Sequence, residues 1–113
     1  RNEKGEVLMT RRPDTGLLAG LWEFPGVEAR TEEEFEQRMG ETYGLQIRPT
    51  RHLVNARHVF SHQVWQMQAY EARLERPAPT LETMRWVGEE DLDAITIPAA
   101  FARIRQVVFE ELI

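Results

Sequence analysis

The segment from residue 42 to residue 70 contains no Asp or Glu but carries three arginines and three histidines. These basic residues are Arg48, Arg51, His52, Arg57, His58 and His62. The formal net charge of the whole chain is −5, so this one segment is locally cationic within an acidic protein. Such a segment favours contact with phosphate. Dedicated nucleic-acid-binding modules, however, are usually basic overall, whereas this chain is acidic. A chance clustering of solvent-exposed basic residues is therefore an equally open interpretation.

The triplet Phe60-Ser61-His62 lies within this segment, at the tip of a predicted hairpin. A serine hydroxyl can both donate and accept hydrogen bonds, and an apolar ring can wedge against a duplex. His62 could contact a base or a phosphate, and Arg51 and Arg57 could position the protein on phosphate oxygens. Each residue also has a structural alternative, since serine is common in turns. Phe60 could cap the core, and the arginines could lie on a solvated strand face.

Catalytic and metal chemistry are not predicted. The three histidines have no neighbouring carboxylate or cysteine within the segment, so we expect no metal site there. The chain contains no cysteine at all, which excludes a disulfide, a thiolate zinc site and an iron–sulfur cluster built from its own residues.

The length of 113 residues fits a single domain spanning residues 1–113. No apolar run approaches the roughly 18 residues of a membrane span, and no secretory signal opens the chain. We therefore expect a cytoplasmic protein without a membrane partner.

The elements that position the triplet follow from local patterns. Two β-type segments, 53–60 and 64–74, predict a hairpin, and shorter strands are predicted at 7–11, 22–24 and 84–87. Thr31 and Glu34 form a capping box that begins a helix. Phe35, Met39 and Tyr43 make its apolar stripe, and Gly44 ends it.

A short acidic helix is predicted over 89–94, followed by a closing helix with Pro98 in its first turn. The apolar face of that helix comprises Ile97, Phe101, Ile104, Val108 and Leu112. Strands interrupted by one helix and closed by another predict an α+β fold, a mixed β-sheet packed with helices. The turn over residues 1–5 implies a preceding strand outside this chain. We therefore expect the chain to be a fragment of a longer, two-domain protein.

The block Trp22-Glu23-Phe24-Pro25-Gly26, followed by a helix ending in Gly44, resembles the signature of the Nudix family. In that family, carboxylates on the helix bind divalent metal, which activates water against a pyrophosphate. Aligned on Gly44, those positions carry Gln37, Arg38, Glu41 and Thr42. Of the metal-binding carboxylates only Glu41 remains, so the resemblance implies a Nudix-like fold without a metal site.

Residues 15–25 and the triplet Phe60-Ser61-His62 resemble the carboxy-terminal domain of adenine DNA glycosylases, which remove adenine mispaired with 8-oxoguanine. The resemblance implies that the triplet recognises the oxidised base and that this domain catalyses nothing itself. It implies as partners duplex DNA containing 8-oxoguanine opposite adenine and the catalytic domain of the same chain, which would carry a 4Fe-4S cluster. It also implies a bacterial-type, nucleoid-associated protein.

Two other functions are left open by the sequence. An active Nudix pyrophosphohydrolase of oxidised nucleoside triphosphates would need the complete carboxylate set. A Nudix-like protein-interaction module would have no need of the acid-free segment around Ser61. Arg11 and Arg12 could also approach DNA, and nothing in the sequence ranks one above the other.

Overall fold

The structure, a computed structural model, describes residues 1–111 and contains two antiparallel sheets. The first sheet has three strands in the order β2-β1-β5, formed by Val7–Arg11 (β1), Trp22–Glu23 (β2) and Met84–Val87 (β5). All three coincide with predicted strands, with β2 ending one residue earlier than expected. The β1 strand is central to this sheet, which explains why Met9 is fully buried.

The second sheet is a long hairpin of β3 (Ile47–Val59) and β4 (Val64–Leu74). The hairpin was predicted, but β3 begins six residues before the predicted start at Leu53. Register shifts between Pro49 and Arg51 and between His52 and Val54 interrupt the pairing. Such bulges disturb the alternation of inward and outward side chains by which a strand is predicted. The sequence pattern therefore does not indicate the first half of β3.

The helix α1 spans Glu32–Tyr43 and has the predicted ends. The Thr31 hydroxyl accepts a hydrogen bond from the Glu34 amide at 3.1 Å. The Glu34 carboxylate accepts from the amide of Arg30 rather than from that of Thr31. Gly44 adopts the left-handed conformation, with φ of 69°, and its N–H bonds to the carbonyl of Gly40.

The closing segment is helical but not one uniform helix. A 3₁₀ helix, Glu89–Ala94, is followed by a 3₁₀ turn at Ala99–Phe101, helix α2 at Ala102–Gln106 and a π-helical turn at Val107–Glu111. Phe101, Ile104 and Val108 are buried on its inner face, as predicted. Leu112, which was assigned to the same face, lies outside the described residues.

The core lies between the three-stranded sheet, the inner face of the hairpin and the closing segment. Its buried members are Met9, Val87, Ala100, Phe101, Ile104, Val108 and Phe109. Burying a large apolar side chain of this kind contributes about 1.5–3 kcal/mol. Trp22, Phe24 and Trp65 pack against this cluster. The α+β prediction is confirmed. Among residues 1–111, no helix is long and apolar enough to cross a membrane.

Candidate nucleic-acid interface

A four-residue loop, Phe60–Gln63, connects the two hairpin strands. The last strand pair is Val59 with Val64, and beyond it the Phe60 N–H donates to the Gln63 carbonyl at 2.8 Å. Ser61 and His62 form the bend itself and are exposed. The hairpin therefore presents these two residues at its outermost point.

Phe60 points inward from the first position of this loop. Its ring lies edge-on to the rings of His58 and Trp65, with centroid distances of 4.6 Å and 4.8 Å. Trp65 in turn packs against Phe101 of the core at 5.9 Å. Phe60 is half-buried and joined to the core, so its packing anchors the loop.

Ser61 and His62 have no such anchor. Within the part of the chain that the structure describes, neither side chain makes an intramolecular hydrogen bond, whereas the Trp65 Nε1–H donates to Gln63 Oε1 at 3.2 Å. The loop thus has fixed ends, Phe60 and Gln63, and two central side chains whose hydrogen-bonding groups face solvent.

The two arginines proposed as phosphate contacts lie in different surroundings. Arg57 is exposed on the outer face of β3, opposite Gln66 and two residues before the last strand pair. Within residues 1–111 it has no ion pair. Arg51 Nη2 lies 3.4 Å from Glu71 Oε2, and it precedes Val59 by eight residues, roughly 25 Å of strand. The structure brings Arg57, not Arg51, close to the loop.

The outer face of the hairpin near its tip carries no carboxylate among the described residues. It consists of Asn55, Arg57, Val59, Val64, Gln66 and Gln68. Val59 and Val64 are 57% and 44% exposed, which is unusual for a cross-strand apolar pair. The sequence analysis did not identify these valines, although the two-residue alternation places Val59 on the face of Arg57.

The three histidines do not converge. His52 hydrogen-bonds Asn55 Oδ1 at 2.8 Å, His58 packs on Phe60, and His62 lies at the tip. Each of the three therefore has a different environment along the hairpin.

Arg11 and Arg12 both form ion pairs within the protein. Arg11 Nη2 lies 2.9 Å from Asp14 Oδ1, and Arg12 Nη1 donates to both carboxylate oxygens of Glu23, at 3.0 and 3.1 Å. Burial raises the pKa of Glu23, and the attraction of Arg12 opposes that shift. Arg12 is directed inward, toward the hairpin, and no local pattern in the sequence indicates this role.

The divalent metal of active Nudix enzymes does not fit the residues of α1. The single carboxylate at the family positions, Glu41, is exposed and accepts a hydrogen bond from Gln37 Nε2 at 3.0 Å. Arg38, at a former ligand position, pairs with Glu34 at 2.9 Å. A hard cation needs several oxygens from one site, and of the positions that the resemblance assigns to metal ligands only Glu41 carries a carboxylate, beside the guanidinium of Arg38.

In a cleft of about 320 Å³ beside α1, the carboxylates and the tyrosine hydroxyl already have partners. Its carboxylates, Asp14 and Glu23, are paired with Arg11 and Arg12. The Tyr43 hydroxyl donates to the Gly26 carbonyl at 2.9 Å, and burial raises the pKa of Tyr43. This cleft therefore offers no free carboxylate to a metal.

One carboxylate cluster was not foreseen. One carboxylate oxygen of each of Glu6, Glu90 and Asp91 lies within 4.8 Å of the others, although Glu6 is far in sequence from the adjacent Glu90 and Asp91. Glu6 accepts from Asn2 Nδ2 at 2.8 Å, and Asp91 accepts from the Gly88 amide at 2.9 Å. Two of the three thus have partners, and the cluster by itself assigns no site.

Comparison with known proteins places these features in context. Residues 1–107 match the family model described as the NUDIX domain. The chain is 34% identical to the adenine DNA glycosylase of Rattus norvegicus over 114 residues, covering 93% of this chain and 22% of that protein. It is 32% identical to the adenine DNA glycosylase of Homo sapiens over 111 residues, covering 90% and 20%. The chain thus spans only about a fifth of the length of these curated relatives.

Two solved structures have a similar fold. The MutT protein of Methanosarcina mazei Go1 aligns with a TM-score of 0.70 at 21% identity, over 96% of this chain and 86% of that one. The C-terminal domain of mouse MUTYH, solved in complex with human PCNA, aligns with a TM-score of 0.61 at 26% identity, over 94% and 78%.

Proposed function

The chain belongs to the Nudix domain family and is a relative of adenine DNA glycosylases, and from this premise we propose that it is the 8-oxoguanine-recognition domain of such a glycosylase. Its relatives support a place in DNA repair. The finer proposal is that the hairpin tip contacts the oxidised base of an 8-oxoguanine:adenine mispair.

The observation that carries this proposal is that Ser61 and His62 are exposed on a loop with fixed ends and that, among residues 1–111, their side chains make no intramolecular hydrogen bond. Oxidation turns guanine N7 into a donor and adds an acceptor oxygen at C8. A serine offers a hydroxyl that donates and accepts and an amide that donates. Ser61 can therefore match both altered atoms, while His62 contacts base or phosphate.

The surroundings of the tip suit a duplex. The outer face next to the loop presents Arg57 and neutral amide side chains with no carboxylate among the described residues. Phosphate contacts of this kind set register and orientation and carry no sequence information. Arg57 is therefore proposed as a positioning contact, with Ser61 and His62 as the specificity contacts.

The domain is proposed to have no catalytic chemistry of its own. The active-hydrolase alternative has no supporting feature, since α1 offers one hydrogen-bonded carboxylate where metal ligands would be needed. We propose that adenine excision, and the 4Fe-4S cluster, belong to a catalytic domain elsewhere in a longer cytoplasmic, nucleoid-associated protein. The catalytic domain would then be the second partner, beside the mispaired duplex.

A second candidate function, protein binding, is favoured by one comparison. The mouse MUTYH domain with the similar fold was solved in complex with human PCNA. The exposed Val59 and Val64 would suit a protein partner as well as a DNA surface. Protein binding does not require the hydrogen-bonding groups of Ser61, and variants of Ser61 therefore separate the two functions.

The test of the proposed function is removal of the domain. The full-length protein and a version lacking residues 1–113 are assayed on 8-oxoguanine:adenine and guanine:adenine duplexes. We expect the truncated protein to retain adenine excision and to lose most of its preference for the oxidised partner. An unchanged preference would assign recognition to another part of the protein.

A further inference from the structure

One arginine lies behind the hairpin loop of residues 60–63, called here the recognition loop, and it connects three separate segments. Arg12 Nε donates to the Leu17 carbonyl at 3.0 Å, and Nη1 donates to both oxygens of Glu23. Its guanidinium carbon also lies 5.1 Å from the centroid of the Trp65 ring. The Arg12 and Glu23 side chains are only 20% and 14% exposed, so these contacts form largely away from water.

Trp65 extends this connection to both ends of the recognition loop. Its ring lies 4.8 Å from that of Phe60, and its Nε1–H donates to Gln63 Oε1 at 3.2 Å. Phe60 and Gln63 are the two residues that flank Ser61 and His62. The position of the exposed pair therefore depends on where the Trp65 indole lies.

We propose that Arg12 is a positioning residue for recognition of the oxidised base, an inference that rests on the proposed function. The ion pair with Glu23 fixes the guanidinium over the indole, and the indole fixes Phe60 and Gln63. A cation over a Trp face is attracted to the ring, most strongly where water is excluded. Recognition of a base edge requires placement within about 0.5 Å. Lesion preference thus depends on a residue that lies behind the loop.

The obvious substitution, Arg12→Met, would leave the half-buried Glu23 carboxylate without its partner. The loss of such a partner can destabilise the fold itself. The informative variant is Arg12→Met with Glu23→Gln, which removes both charges and leaves neither uncompensated. Arg48→Met with Glu75→Gln is the matched control, because this ion pair is 2.9 Å long and exposed at the far end of the same hairpin.

Two measurements on the full-length protein test the proposal. The first is the preference for 8-oxoguanine:adenine over guanine:adenine, which should fall several-fold, up to about tenfold, in the Arg12 and Glu23 double variant. The second is the NMR chemical shift and the hydrogen-exchange rate of the Ser61 and His62 amides. Both should change in the double variant in the absence of DNA. The control variant should change neither the preference nor the amide signals. Arg12→Lys, which keeps the cation, should retain part of the preference that the double variant loses.

The outcomes separate this proposal from the proposed function. If the double variant melts normally and leaves both the preference and the loop amides unchanged while Ser61→Ala lowers the preference, Arg12 has no positioning role and the proposed function stands. If Ser61→Ala combined with His62→Ala also has no effect, both proposals fail. If the Tm of the double variant is well below that of the wild type, Trp65→Phe is tested in its place. It keeps the aromatic packing, removes the bond to Gln63 and should lower the preference, and a normal preference would overturn the proposal.

Discussion

At the scale of single residues, the three members of the Phe60-Ser61-His62 triplet divide into an anchor and two exposed groups. Phe60 packs between His58 and Trp65, so its replacement would combine any loss at DNA with a loss of core packing. Ser61 and His62 are exposed and can be changed without creating a cavity. The clean tests of recognition therefore use these two residues.

The two candidate phosphate contacts should differ in their salt dependence. Removing one phosphate contact lowers the slope of log K against log salt by about one. We expect Arg57→Gln to do so in the full-length protein bound to duplex DNA, because Arg57 is exposed beside the tip. Arg51→Gln should change the slope less, since Arg51 pairs with Glu71 far from the loop. Equal slopes for the two variants would show that the DNA footprint is not centred on the tip.

The ionisation of Glu23 should be visible in the pH dependence of stability. Burial raises its folded-state pKa above the ordinary value of 4.5, although Arg12 opposes the shift. The folded state therefore binds this proton more tightly than the unfolded state does. The contribution of Glu23 to the free energy of unfolding is fully present below the unfolded pKa and falls as pH rises through the folded pKa.

This dependence can be isolated by comparing the wild-type protein with Glu23→Gln in thermal melts from about pH 4 to about pH 7. The Tm of the wild type minus that of the variant should decrease as pH rises, because the variant lacks the titrating carboxylate. An increase over the same range would mean that the ion pair outweighs the cost of burial.

At the scale of elements, α1 has the predicted ends, and Glu41 is the one carboxylate at the positions that the resemblance assigns to metal ligands. We predict that the protein does not hydrolyse 8-oxo-dGTP in the presence of magnesium, because catalysis in the family requires metal-held phosphate and water. Glu41→Gln should leave that background rate unchanged, as Glu41 bonds to Gln37. Turnover that disappears in Glu41→Gln would contradict this account of the helix.

The elements with strong local signals were predictable from the sequence. Helix α1 begins after the capping residue Thr31 and ends at the left-handed Gly44, as expected, because each residue acts on backbone groups within four residues. The start of β3 was wrong by six residues, since the bulges around Pro49 and His52 break the alternating pattern. The division of the closing helix into 3₁₀, α and π turns has no local signal in the sequence and was not anticipated.

Long-range contacts were the part of the site that the sequence could not supply. The triplet at residues 60–62 could be located by its resemblance to the family's loop, together with its place in a predicted hairpin. The role of Arg12 could not, because it depends on Glu23 and Trp65, which meet it only through tertiary packing. Likewise, Arg51 and Arg57 look equivalent in the sequence, and only the register of β3 against β4 distinguishes them.

At the scale of the whole molecule, charge should limit DNA binding. The net charge of −5 opposes binding to a polyanion, and the acid-free face is confined to one end of one hairpin. The isolated 113-residue chain should therefore bind duplex DNA with a Kd on the order of 10⁻⁴ to 10⁻⁶ M at physiological salt, weakening as salt rises. Fluorescence anisotropy across a salt series would measure this. Tight binding that is insensitive to salt would mean that the domain carries the main DNA-binding surface.

The central claim is that Ser61 and His62 read the oxidised base, and one paired measurement tests it most directly. The second-order rate constant for adenine excision, measured below saturation, is compared on 8-oxoguanine:adenine and guanine:adenine duplexes for the full-length wild type, Ser61→Ala, and Ser61→Ala with His62→Ala. A neutral hydrogen bond contributes about 0.5–1.5 kcal/mol net, so Ser61→Ala should lower the preference several-fold, up to roughly tenfold, and His62→Ala should lower it further. Excision from bound substrate and the thermal melt should change little. A double variant that melts normally and keeps the full wild-type preference would show that the loop is only a hairpin turn and that the lesion is recognised elsewhere.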